Sequence, residues 1–220
     1  MFNHLDAPVL EELKSTTTED GRKYRRENGS EYPSVTTVVG HEKKKFFAEW
    51  RRKNPQESKR VLRRGNTVHK LIEDYLNNEE IENPTGLFTQ MKPYLDRHVN
   101  NVLAQEVPLY SDLLRLAGRV DCIAEYDGEM AIIDFKGSTR EKSKSDIDEY
   151  FMQATAYAIM WRELTGQIIE KIVIMISTEQ GSVQIYEENP INYVSLLKYT
   201  IDKYYEEKAV INEVIPNISE

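Results

Sequence analysis

"GRVDCIAEYDGEMAIIDFKGS", residues 118–138, reads as two apolar strands joined by Asp127-Gly128. Asp-Gly between alternating apolar residues signals a two-residue type I′ hairpin, because both central positions need positive φ. That loop sets the register: Tyr126 opposes Glu129, Ile123 opposes Ile132, and Asp121 opposes Asp134. One side of the ribbon then carries Val120, Cys122, Ala124, Ala131, Ile133 and Phe135, an apolar surface fit for a core. The other carries Ile123, Ile132 and both aspartates, with Lys136 projecting two residues beyond Asp134. Opposed Cβ atoms lie about 4.5–5.5 Å apart. Two carboxylates so placed repel unless one takes a proton or a cation lies between them. The pattern therefore suits a hard divalent cation held beside a lysine. Its alternative is a solvated face with an ordinary Lys–Asp pair, which stabilises little.

Downstream, a polar stretch leads to a helix over 149–164 that stops at Gly166, and strands over 170–178 and 182–188 meet through Glu179-Gln180-Gly181. A last helix begins after Pro190 and runs to about Lys208. Upstream, residues 1–32 are expected to form a polar strand pair or arm, and Ser34 caps a short helical turn ending near Gly40. The spacing predicts further helices over 43–53, 59–77 and 89–105, and a strand at "EVPLYS", 106–111. Helices, three strands, a crossover helix, two strands and a helix make an α/β architecture around a mixed central sheet. We expect a single domain over 1–220: an N-terminal arm and helical part to 105, a sheet and crossover helix over 106–189, and a C-terminal helical part over 190–220.

No run approaches the eighteen or so apolar residues of a membrane span. The N-terminus has neither a secretory pattern nor a typical mitochondrial one, so a soluble protein of the bacterial or phage-infected cytoplasm is expected. The one cysteine, Cys122, excludes an internal disulfide and is expected to be buried as a small apolar residue. The net charge of −8 is unevenly spread: residues 41–70 hold eleven Lys or Arg against three Glu. Phe46, Phe47 and Trp50 interleave with these charges. Such a segment is either a solvated helix face with core aromatics or a surface that meets phosphates and stacks bases. On the second reading Trp50, Arg51, Arg52, Lys59, Arg63 and Arg64 contact the strand.

"GRVD" (118–121), "IIDFKGS" (132–138), "QATAY" (153–157) and the upstream "GNTVHKLIE" (65–73), in that order, resemble the PD-(D/E)xK nuclease superfamily. The likeness is to its RecB-like branch, and within it to the group of the mitochondrial genome maintenance exonuclease and related bacteriophage exonucleases; it spans roughly 32–176. It implies a restriction-endonuclease-like mixed sheet flanked by helices, with Asp121 and Asp134 as metal ligands and Lys136 orienting or helping to deprotonate water. It further implies that His69 supplies another ligand and that Gln153 and Tyr157 lie near the site and the DNA backbone. Glu106 is a candidate further ligand or a partner of Lys136, and Ser138 a candidate DNA contact. Gly137 stands where the family commonly has threonine, which removes a hydroxyl. His69 and Glu73, like Gln153 and Tyr157, sit one helical turn apart. Read without the resemblance, His69 is a core histidine beside Val68 and Ile72, and Tyr157 packs with Trp161.

The resemblance thus implies Mg²⁺-dependent DNA hydrolysis, with Mn²⁺ as substitute and Ca²⁺ binding without good turnover. The expected substrate is single-stranded DNA with free ends, in company with replication or recombination proteins. Rival readings are a structure-specific or flap endonuclease, a non-catalytic nucleic-acid-binding module, and a small-molecule metal hydrolase. The last lacks a second histidine-rich motif beside His69.

Overall fold

A computed structural model describes the backbone of residues 1–214 and the side chains of 1–210. A small antiparallel sheet comes first: β1 (Lys14–Thr18), β2 (Gly21–Arg25) and β3 (Glu31–Pro33). The expected strand pair is thus three strands. Four helices follow: α1 (Val35–Val39), α2 (Lys44–Lys53), α3 (Pro55–Leu76) and α4 (Gly86–His98). Ser34 caps α1 by accepting from the Thr37 N–H. Pro55 takes the first position of α3, where its missing N–H costs nothing, so this helix starts four residues before the sequence expectation.

The central sheet comprises β4 (Val99–Ser111), β5 (Leu116–Tyr126), β6 (Glu129–Ser138), β7 (Lys171–Thr178) and β8 (Val183–Glu188), neighbours in that order. Between β6 and β7 runs the crossover helix α5 (Asp148–Thr165), and α6 (Val194–Val214) closes the chain. Residues 215–220 of the expected C-terminal part lie outside the described residues. All pairings are antiparallel except β6–β7, whose parallel register needs the crossover that α5 supplies. The mixed sheet flanked by helices, expected from the order of elements, is present.

The helix expected over 89–105 is wrong in its second half. Thr85 caps α4 three residues earlier, and from Val99 the chain is strand. Asn101 has φ +44°, and the β4–β5 register shifts between Asn100 and Ala104. This bulge sends Val99 and Val102 to one face and Leu103 and Ala104 to the other. The resulting apolar spacing mimics a helix.

The β5–β6 turn is the expected one, with positive φ at Asp127 and Gly128, and Tyr126↔Glu129 and Ile123↔Ile132 pair as read. The ladder stops, however, at Cys122↔Ile133, one step short of the aspartates. Val120 correspondingly packs in the cluster of Ile123 and Ile132, not with Cys122 as the alternation implied. Both faces of the hairpin are buried. α1, α5 and α6 cover Ile123 and Ile132, while α3 and α4 cover Cys122, Ile133 and Phe135. Cys122 is fully buried, and burial pushes its thiol well up from the ordinary range.

Candidate active site

Where β5 leaves β6, the Asp121 side chain replaces the missing backbone partner: Phe135 N–H donates to its Oδ2 at 2.9 Å. Asp134 is 1% exposed. Its Oδ1 accepts from Lys136 Nζ at 2.7 Å and from Gln153 Nε2 at 3.0 Å. Its Oδ2 is 2.6 Å from the same ammonium, so Lys136 spans both oxygens of the buried carboxylate.

Three more groups converge here. His69, on α3, places Nδ1 3.5 Å from Asp121 Oδ2 and 3.8 Å from Glu106 Oε1. One ligand atom each from His69, Glu106 and Asp121 lies within 4.8 Å of the others. Glu106 holds φ +48°, sparsely populated for a non-glycine residue, within β4 directly beside the parting strands. Two oxygen donors and one imidazole nitrogen, next to the buried Asp134–Lys136 pair, fit a divalent cation.

Charge at the site follows from this crowding. Burial first, and the Asp134 charge second, push the Asp121 carboxyl up to about 6, against the pull of His69, Lys136 and the Phe135 N–H. Burial opposes ionisation of Lys136, but Asp134 and Asp121 outweigh it and raise the ammonium's pKa, so it stays cationic. Burial likewise opposes protonation of His69; the carboxylates of Glu106, Asp121 and Asp134 outweigh it and raise the ring. Lys136 also lies 5.2 Å from the centre of the Tyr150 ring, a neighbour that its helical position did not single out.

Gln153 and Tyr157 reach the site from successive turns of α5, both nearly fully buried. Tyr157 is held up against β5 by a gap that only glycine leaves. A Cβ on Gly118 would stand 2.7 Å from Tyr157 Cε1 and 2.9 Å from its hydroxyl. This explains the glycine of "GRVD" as close packing. Burial, then the two aspartates, raise the Tyr157 phenol well above its ordinary range. Glu73, by contrast, pairs with Lys70 and does not join the His69 cluster.

These groups open on a cleft of about 620 Å³. α3 forms one wall through Val61, Leu62, Asn66 and His69; Arg22, Tyr24 and Thr36 of the N-terminal part form the other. A larger cleft of about 810 Å³ near Arg115, Tyr205 and Lys208 shares no lining residue with it and contains none of these ligand groups.

The basic segment proves to be surface. α2 buries no residue; Phe46 and Phe47 are 66% and 43% exposed, so they are not the core residues of the alternative reading. Trp50 is partly exposed, and Arg51, Arg52, Lys59 and Arg63 are exposed, with no charge partner among the described residues. Arg64 is different. Its Nη1 binds Glu179 at 2.6 Å and its Nη2 donates to Gly137 O at 3.1 Å. Arg60, which the sequence reading passed over, binds the same carboxylate at 2.5 Å. Hydrogen bonds from Arg60, then those from Arg64, bring the Glu179 carboxyl down to about 2. Ser138 is not placed as expected: it is buried, and its hydroxyl donates to Arg140 O at 2.6 Å, which closes a turn and leaves nothing for a strand.

Residues 95–190 match the family model of the PD-(D/E)XK nuclease superfamily. That bears out the resemblance read from "GRVD" and "IIDFKGS". Mitochondrial genome maintenance exonuclease 1 of Mus musculus is 26% identical over 128 residues, 50% of this chain and 38% of the relative. Its Homo sapiens counterpart is 30% identical over 106 residues, 44% of this chain and 30% of the relative. The matches thus span about a third of the length of these relatives. A crystal structure of an exonuclease candidate from Eubacterium rectale covers 65% of each chain at TM-score 0.43 and 15% identity. No helix among the described residues is long and apolar enough to cross a membrane.

Proposed function

We propose that this chain is a metal-dependent deoxyribonuclease that degrades single-stranded DNA from free ends. The observation that carries it is the junction of β5 and β6, where His69, Glu106 and Asp121 converge beside a buried Asp134–Lys136 pair at the bottom of an open cleft. His69, Glu106 and Asp121 would hold the cation, with the Asp134–Lys136 pair beside them. When bound, Mg²⁺ or Mn²⁺ neutralises the phosphate and acidifies a water ligand.

The chain's own residues do the rest. Lys136, kept cationic by its aspartates, puts positive charge beside the attacking oxygen and stabilises charge that develops on the phosphate. It acts as a fixed charge and not as a base. Gln153 holds Asp134 in one orientation, so that ligand and lysine keep a common geometry. Tyr157 fills the space at Gly118 and closes the cleft floor. Exposed Phe46, Phe47 and the free cations of α2 and early α3 offer stacking faces and phosphate contacts, which suit unpaired bases.

The names of the Mus musculus and Homo sapiens relatives support the exonuclease reading over a flap endonuclease. Incubation with linear and circular single strands, each in Mg²⁺ and in EDTA, tests it. Loss of linear strands only, and only with metal, is the expected result. Cutting of circles selects the endonuclease. Binding of both strands with no cleavage in any metal selects a non-catalytic module.

A further inference from the structure

Arg60, Arg63 and Arg64 stand three and four residues apart on one face of α3 and line a second cavity of about 440 Å³ with Thr67, Leu87 and Glu179. Arg60 and Arg64 share the carboxylate of Glu179, and Arg60 also holds Glu57, donating from Nε to Oε2 at 2.8 Å and from Nη2 to Oε1 at 2.7 Å. Glu179 Oε1 accepts from Arg60 Nη1 at 2.5 Å and from Arg64 Nη1 at 2.6 Å, while Oε2 accepts from Arg60 Nη2 at 3.2 Å. The position is held by the backbone: Glu179 N–H donates to Ser138 O, tying the β7–β8 turn to the end of β6. Arg64 reaches further, to the carbonyl of Gly137, which is the residue after Lys136. Its Nε is buried and has no acceptor.

A carboxylate that bridges two guanidinium forks presents its oxygens as a phosphodiester does, since both are planar-edge matches to arginine. Glu179 belongs to a turn and its side chain is 30% exposed, so an incoming phosphate can reach the guanidinium groups that it pairs with and compete for them. With Glu179 released, Arg64 and the Nη1 of Arg60 would face an anion in this second cavity, which shares no lining residue with the cleft of Lys136 and adjoins it at Gly137, while Glu57 still holds Nε and Nη2 of Arg60.

We propose that Arg60 and Arg64 form a second phosphate-binding subsite, next to the one at Lys136, and that Glu179 occupies it as an internal counter-ion which the DNA strand displaces. This rests on the nuclease reading and adds to it a gate on affinity: duplex or weakly held nucleic acid must compete with Glu179, whereas a strand already in the cleft delivers its phosphate at high local concentration.

The experiment measures anisotropy of a 5′-labelled oligothymidylate in EDTA across a salt series, for wild type, Glu179→Gln, Arg60→Gln/Arg64→Gln, and the triple variant. Glu179→Gln should bind about fivefold tighter. Its logarithmic salt slope should steepen by about 0.7, one phosphate-equivalent charge. The double arginine variant should bind more weakly than wild type, and adding Glu179→Gln to it should bring no gain. A Glu179→Gln protein that melts normally and binds no tighter than wild type overturns the subsite, as does an equal gain in the arginine-free background. If Glu179→Gln fails to fold, the double arginine variant decides alone: unchanged affinity and slope overturn the proposal. Because wild-type cleavage of linear strands is measured in Mg²⁺ alongside, failure of the subsite leaves a cleaving nuclease, whereas failure of the nuclease reading removes cleavage whether or not the strand still binds.

Discussion

Asp121→Asn should stabilise the metal-free protein. The Asp121 carboxyl sits at about 6 in the fold against an ordinary value of 3.8, because it is buried and faces Asp134. A group whose folded pKa is raised holds its proton more tightly in the folded state. The contribution of this group is therefore most favourable below about pH 4 and is lost as pH rises from there through 6, opposite in sign to that of paired carboxylates such as Glu179. At ~1.4 kcal/mol per tenfold in proton affinity, the penalty above pH 6 is at most roughly 3 kcal/mol. Reorientation of His69 and water around the ionised pair recovers part of it, which leaves about 2 kcal/mol. For a chain of this size that is a rise of about 4–8 °C in Tm. Asparagine is the right probe, because its carbonyl oxygen still accepts from the Phe135 N–H. The assay is thermal melting in EDTA from pH 4.5 to 8, repeated with Mg²⁺. We expect the variant to melt above wild type at pH 8, to converge with it towards pH 4.5, and to gain less from Mg²⁺. A variant that melts at or below wild type at pH 8 would refute the repulsion. An equal response of both proteins to Mg²⁺ would remove Asp121 from the ligand set.

Asp134→Asn and Lys136→Ala should each reduce cleavage of a labelled single strand by at least about 10²-fold at saturating DNA, with the fold intact by circular dichroism. The lysine variant should keep most of its DNA affinity. Gly118→Ala should destabilise by about 1–3 kcal/mol in urea melts, because the new Cβ meets Tyr157 and neither a buried ring nor a sheet strand yields cheaply. Replacing Arg51, Arg52, Lys59 and Arg63 together by Gln should reduce the magnitude of the logarithmic salt slope by about 0.7 per lost phosphate contact. Turnover at saturating DNA should change far less, and an unchanged slope would return the segment to a plain solvated surface.

Much of the fold is legible because local chemistry and tertiary packing agree. Asp127-Gly128 dictates a turn whatever surrounds it, and the alternation on either side is correct where the ladder is regular. Pro55, Ser34 and Gly166 mark helix ends through their own backbone preferences, and Gly166 indeed sits at φ +76° after α5. The misread stretch is 99–105, where a bulge at Asn100–Ala104 rephases a strand until its apolar residues fall three and one apart. No propensity reveals that, because the bulge is specified by the partner strand. Arg60 and Glu179 were equally hidden: they lie more than a hundred positions apart and meet only through the β6–β7 crossover.

The same kind of irregularity makes the candidate site. Had the hairpin register continued one step, Asp121 and Asp134 would have been an ordinary cross-strand pair, with their backbone groups satisfied by each other and their side chains fixed in parallel. Instead Glu106 takes a left-handed conformation in β4, Val120 changes face, and β5 departs at the one residue whose carboxylate can take over the Phe135 N–H. That departure has two effects. It frees Asp121 to turn towards His69 and Glu106, and it leaves Asp134 on β6 to Lys136 and Gln153. Five acidic and basic groups thereby share one largely buried corner. Restoring regular pairing should consequently stabilise the sheet and disable the corner. Glu106→Gln tests the corner directly, because it keeps the length of the side chain and removes its charge from beside His69 and Asp121. Stabilisation by Mg²⁺ should fall accordingly. Undiminished stabilisation by Mg²⁺ in the folded variant would show that the Glu106 carboxylate takes no part in holding the ion.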